Sequence, residues 1–165
     1  MVGGRSIVGT FKRILLATDL SSASSAAFDQ AVALAKRDGS ELLIAHAYEE
    51  ARLAELGYAP AQAYQEWDGE LRSKCGEALG SLVALARERG AEAKPVALRG
   101  FPEEAIVEAA AAQHADLIVM GTHGRRGAAR LLLGSVASRV IATAPCPVLT
   151  VRSVAPEAAN QPVEG

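Results

Sequence analysis

Short continuous apolar runs alternate along this chain with longer stretches whose apolar residues recur at helical spacing. The runs are "RILLAT" (Arg13–Thr18), "ELLIAHA" (Glu41–Ala47), "ADLIVMG" (Ala115–Gly121) and "PVLTVR" (Pro147–Arg152). Such runs suit strands buried on both faces. "AEAKPVALRG" (Ala91–Gly100) reads as a further strand, broken early by Pro95, which argues for a sheet edge. Between the first two runs, Phe28, Ala31, Val32 and Ala35 mark one helix face. Asp19, Ser21 and Ser22 offer capping oxygens before it, and Gly39 supplies a left-handed stop after it. A long helix is expected from near Ala61 to Gly90, with Trp67, Leu71, Ala78, Leu82 and Ala86 on one face. Pro102 opens the next helix, with Glu103 and Glu104 in its first turn. A short last helix runs from about Ser135 to Ala142 and is ended by Pro145.

This alternation predicts a single-domain α/β fold: a doubly wound five-stranded parallel sheet with four helices and right-handed crossovers, Rossmann-like. With the first three strands built outward and the fourth returned beside the first, the order is 3-2-1-4-5. Ligands of such sheets bind outside the carboxyl ends of the strands, where the order reverses. Here that is between strands one and four, lined by Asp19 and the loop that starts at Gly121.

Composition narrows the picture. The 165 residues suit one domain, placed at residues 12–152 between a tail at 1–11 and a Pro-, Ala- and Glu-rich tail at 153–165 that reads as disordered. Aromatic residues make up only 4%, so the core must be built of Ala, Val, Leu and Ile. The net charge of −2 argues against a general affinity for nucleic acid or anionic membranes. With no apolar leader and no bilayer-length run, a cytoplasmic location is expected. Cys75 and Cys146 form no CxxC or Cys/His metal pattern, and no metal ligands or catalytic residues are assigned.

The candidate chemistry lies in "GTHGRRGAARLLLGS" (Gly121–Ser135), where Arg125, Arg126 and Arg130 gather local positive charge. The chain holds no Gly-Lys dipeptide, which excludes a Walker A loop, and the loop lacks the Rossmann G-x-G-x-x-G spacing. Gly121-x2-Gly124-x9-Gly134-Ser135 stands instead. Gly121 allows a sharp exit from the strand, and Gly124 lets backbone amides approach a phosphate. Gly134 and Ser135 open a helix whose N–H groups and dipole favour an anion. The Ser135 hydroxyl either caps that helix or meets a phosphate oxygen. A solvated surface loop is the competing reading.

Other residues keep two roles open. Asp19 is a helix cap, or it orients a ribose hydroxyl or a divalent ion. His46 reads as a satisfied core or strand-end histidine before it reads as a catalyst. His114 complements a helix end, and His123 lies within the glycine loop. Glu49, Glu50, Tyr58 and Tyr64 form either a lid or a plain connection.

Residues Lys12 to Arg152 resemble a universal stress protein domain, on "ILLATDLSSAS", "LLIAHAYEE", "ADLIVMGTHGRRGAARLLLGSVASRVI" and "CPVLTV". The glycine spacing is similar to the signature of that family's ATP-binding branch. The resemblance implies ATP, with Mg2+, as cofactor, and a stress-responsive regulatory role. It implies that Ala17 and Asp19 flank the nucleotide, that Ala47 meets the adenine, and that Met120 and Gly121 line the adenosine pocket. His123, Gly124 and Arg125 would approach the phosphates, while Gly134, Ser135 and Val136 would hold the phosphate tail. Ala17 departs from the proline or valine common at its position. The resemblance also implies a homodimer through the last strand, Pro147 to Val151. The apolar edge of that strand gives an independent reason for a partner. Two further readings are a slow ATPase or phosphotransferase, and a nucleotide-independent interaction module.

Overall fold

The computed structural model of the chain describes residues 10–48, 61–122 and 133–153, with only the backbone of 61–68. The strands are β1 (Arg13–Ala17), β2 (Glu41–Tyr48), β3 (Glu92–Arg99), β4 (Leu117–Gly121) and β5 (Val148–Val151). The helices are α1 (Ser25–Asp38), α2 (Ala61–Glu88), α3 (Pro102–Ala112) and α4 (Ser135–Thr143), with a 3-10 turn at Ser22–Ser24 before α1. All strand pairs are parallel and the order is β3-β2-β1-β4-β5, as the alternation predicts.

Alternate residues of each strand serve opposite faces, and the core divides accordingly. Ile14 and Leu16 of β1 join Leu42, Ile44, Leu117 and Val119 beneath α1 and α2. Leu15 and Ala17 join Leu43, Ala45, Ile118 and Met120 beneath α3 and α4. Leu15, Leu16 and Ile118 are completely buried; removing each from water contributes about 1.5–3 kcal/mol. The three inner strands β2, β1 and β4 can be apolar on both sides because helices cover both.

Turn chemistry follows the residues. Gly39 ends α1 at φ 66°, and Gly90 follows α2 at φ 92°, both left-handed positions suited to glycine. After α3 the same conformation falls to His114, at φ 52°. Pro102 opens α3 as expected. Ala144, which precedes Pro145, is extended and ends α4 one residue beyond the expected Ala142.

Three expectations need correction. Pro95 does not break β3: the strand runs through it, with Pro95 in register with Ile44. β3 is nevertheless an edge strand, where a residue without an N–H is tolerated on the open side. The buried stripe of α2 is Cys75, Leu79, Val83 and Ala86, whereas Leu71, Ala78 and Leu82 are half-buried. The face is turned by about one residue from the expected one, and the Trp67 side chain lies outside the described residues. β1 stops at Ala17 rather than Thr18, and β2 extends to Tyr48 rather than Ala47.

Candidate functional site

Adjacent strands β1 and β4 carry the chain to the same end of the sheet, and the strand order reverses between them. Ala17 and Met120 are paired across this junction, with Ala45 on the other side of Ala17. Both Ala17 and Met120 are buried, and both face the layer of α3 and α4. Ala47, two residues beyond Ala45, shares that face by strand alternation. It lies past the last pair between β1 and β2, Ala17 with Ala45, so β2 overhangs the end of β1.

Beyond β1 the chain makes a tight polar turn. The Thr18 N–H donates to Ala45 O at 2.9 Å, the last backbone bond from this strand end toward β2. Its hydroxyl accepts from the Leu20 N–H at 3.0 Å and bonds to the Ser24 hydroxyl at 2.8 Å. Asp19 Oδ1 accepts from the Ser21 N–H at 3.0 Å and from the Ser21 hydroxyl at 2.7 Å. Ser21 in turn caps the 3-10 turn through the Ala23 N–H. Leu20 sits between them at φ 61°, a conformation that a bulky residue rarely adopts. Its side chain packs on the core under α1, which offsets the strain. The Ser22–Ser24 turn lies against β4, which brings the Asp19 segment to the β1–β4 junction.

The other wall is built at the ends of the glycine loop. Gly121 is the last residue of β4, in register with Val151. The Thr122 N–H donates to Val151 O at 3.0 Å, and Thr122 O accepts from the Gly134 N–H at 2.8 Å. This second bond joins the residue where the loop leaves to the residue where it returns. It fixes the start of α4 beside the end of β4. Gly134 is the N-cap residue of α4, at φ −61° and ψ 155°, and has no side chain to cap the first turn. Ser135 is therefore the first helical residue and not the cap, which removes one of its two candidate roles. It is exposed, and Val136 is half-buried against the core under α3 and α4. The first N–H groups of a helix have no partner within it and carry the positive end of the helix dipole.

The structure thus gathers Ala17, Asp19, Met120, Gly121, Gly134 and Ser135 at one end of the sheet, with Val136 behind them and Ala47 on the overhang of β2. His123, Gly124 and Arg125, with Arg126 and Arg130, lie outside the described residues, as do Glu49, Glu50, Tyr58 and the Tyr64 side chain. His46 is a strand-end histidine with a satisfied ring nitrogen: Nδ1–H donates to Thr18 O at 2.8 Å. Sequence reasoning missed Thr18, Thr122 and the His46 contact. The signal for Thr18 was its place just before Asp19. Nothing in the sequence marks Thr122 as the anchor of both loop ends. Among the described residues, no group of three or more His, Cys, Asp or Glu gathers to hold a metal ion. No described helix is long and apolar enough to cross a membrane.

Fold and site together define a doubly wound α/β protein whose topological switch point is bordered by a helix N-terminus. The chain belongs to the universal stress protein family, whose family model matches residues 10–152. The universal stress protein MJ0531 of Methanocaldococcus jannaschii is 40% identical over 143 residues, covering 86% of this chain and 82% of that one. The solved structure of the hypothetical protein MJ0577 of the same organism is similar, with TM-score 0.78 at 26% identity over 89% of this chain and 99% of that one. A solved universal stress protein in complex with cAMP gives TM-score 0.66 at 28% identity, over 88% of this chain and 100% of that one.

Proposed function

We propose that this chain is an ATP-binding regulatory member of its family, which takes one nucleotide at the β1–β4 junction. The observation that carries the reading is the 2.8 Å bond from the Gly134 N–H to Thr122 O. It sets the N-terminus of α4 beside the strand ends, where an anion gains from backbone N–H groups and the helix dipole. The Ser135 hydroxyl, not used as the N-cap, can bond a phosphate oxygen there. Gly124 and Arg125 belong to the same loop and complete the proposed phosphate cradle. Ala17, Ala47 and Met120 give the small and apolar wall that an adenine ring needs. The cAMP complex of a related protein supports an adenine nucleotide as the class of ligand.

Magnesium fits as a companion of the phosphates. That ion keeps several waters and binds through one or two carboxylates plus phosphate oxygens. Asp19 is a carboxylate at this end of the sheet, and its Oδ1 is oriented by Ser21. The chain also acts as a homodimer in this proposal, through the edge strand β5, where Leu149 is 37% exposed.

Competition among ATP, AMP and cAMP tests the phosphate cradle. A cradle that grips the phosphate tail gives ATP at least about tenfold tighter binding than AMP, or about 1.4 kcal/mol. Equal affinities would leave an adenosine pocket without a phosphate cradle.

A further inference from the structure

The Thr18 carbonyl stands where the paired ladder between β1 and β2 has ended, the last pair being Ala17 with Ala45. It accepts from His46 Nδ1–H at 2.8 Å. A carbonyl oxygen only accepts, so this bond requires the hydrogen to be on Nδ1 and thereby fixes the tautomer. Thr18 is held on its other sides too: its N–H by Ala45 O, its hydroxyl by Leu20 and Ser24. The next residue is Asp19, and the one after it, Leu20, is kept at φ 61°. A turn strained in this way persists only while its surroundings over-determine it. His46 supplies a side-chain bond to that turn from the neighbouring strand.

We propose that His46 is a positioning residue of the nucleotide site: its Nδ1–H clamps the Thr18 carbonyl and so sets the direction in which Asp19 leaves β1. The inference rests on the nucleotide reading above and assigns His46 no contact with ligand and no proton transfer. Removing the clamp leaves the strand paired but lets the peptide between Thr18 and Asp19 rotate. The Asp19 carboxylate then no longer starts in the geometry that a bound nucleotide meets.

The test compares the full-length chain with His46→Leu and His46→Asn by calorimetric titration with ATP and magnesium, beside thermal unfolding of each. His46→Leu keeps apolar bulk and loses the donor; it is expected to weaken ATP binding about tenfold, the size of one lost hydrogen bond. In His46→Asn an amide nitrogen can occupy the place of Nδ1, and affinity is expected to return to within about threefold of wild type. Imidazole nitrogen NMR of the wild-type chain without nucleotide is expected to show a hydrogen on His46 Nδ1. An Nε2–H tautomer would overturn the proposal whether or not either variant folds. So would wild-type affinity in His46→Leu, or no recovery in a folded His46→Asn. A wild-type chain that binds no ATP overturns the nucleotide reading itself, and with it any positioning role. An intact wild-type site with an indifferent His46→Leu overturns the positioning role alone.

Discussion

At the N-terminal rim of the sheet, charged side chains meet each other. Glu41 of β2 bonds Arg13 of β1 at 2.7 Å and Lys94 of β3. Asp116 accepts from the Lys12 and Arg13 N–H groups at 2.8 and 3.1 Å. The C-terminal rim is different. There β1 and β4 end in Ala17 and Gly121, β2 passes Ala47, and α4 begins with Gly134 and Ser135. Its hydrogen bonds tie the backbone of the turns: Thr18 to Ala45 and His46, Thr122 to Val151 and Gly134. One rim spends its polar groups on joining strands. The other places small residues and a helix N-terminus at the topological switch point. At the first rim the described charged side chains cross-link the strand starts, whereas at the second Ala17, Gly121 and Gly134 carry little or no side chain. On this account, damage to the first rim lowers stability, and damage to the second lowers affinity.

The largest separation is expected from Gly134→Leu. The φ of −61° there is open to any residue, so the fold is retained. The added side chain covers the first turn of α4, and ATP affinity should fall about a hundredfold, or about 2.7 kcal/mol, in a titration. Unchanged affinity would erase the distinction between the rims. Next comes Asp116→Ala, which removes the acceptor from two backbone N–H groups. It should cost about 2 kcal/mol by denaturant unfolding and leave nucleotide affinity unchanged.

Asp19→Asn should do the reverse. The amide oxygen can still accept from Ser21, so the loss of affinity should exceed any loss of stability. Loss of the charge should weaken magnesium-ATP about tenfold, and magnesium-free ATP less. The smallest effect concerns Glu41, whose carboxyl is held below the usual range by its hydrogen bond to Lys94 and then by that to Arg13. The folded state therefore favours the charged form. The stability this contributes is present above the unfolded value of about 4.3 and is lost as pH falls through the lower folded value. Glu41→Gln should cost about 1 kcal/mol at pH 7, and unfolding curves of variant and wild type should converge at pH values below the folded one.

The fold was legible because periodicity speaks directly to it. Continuous runs such as Ile14–Ala17 can only be buried on both sides, and Gly39 and Gly90 stop helices by a local conformational rule. The position of the switch point follows from the order of strands and needs no side-chain detail. Pro95 shows the limit of a local rule: it named the edge correctly, yet β3 continues through it, because only one side of an edge strand needs its donors. The α2 face was misjudged because Cys75, Leu79 and Val83 were not counted among its apolar positions, whereas they, with Ala86, are the buried ones.

The candidate site was half legible. Glycine spacing pointed to the start of α4, and Asp19 to the end of β1. The bond between Thr122 and Gly134 bridges a loop, and that between His46 and Thr18 joins two strands, so no local pattern reports either. Ser135 shows the same limit at close range. One residue of helix boundary decides whether its hydroxyl caps the helix or faces outward, and sequence fixes boundaries less sharply than that.

In the proposed function the C-terminal rim is a phosphate-gripping nucleotide site. Calorimetric titration of nucleotide-stripped protein with ATP and magnesium tests it most directly. One ATP per chain is expected, with a Kd near 1 μM or tighter, about −8 kcal/mol. No heat of binding, and no displacement of a bound nucleotide probe even at millimolar ATP, would contradict it.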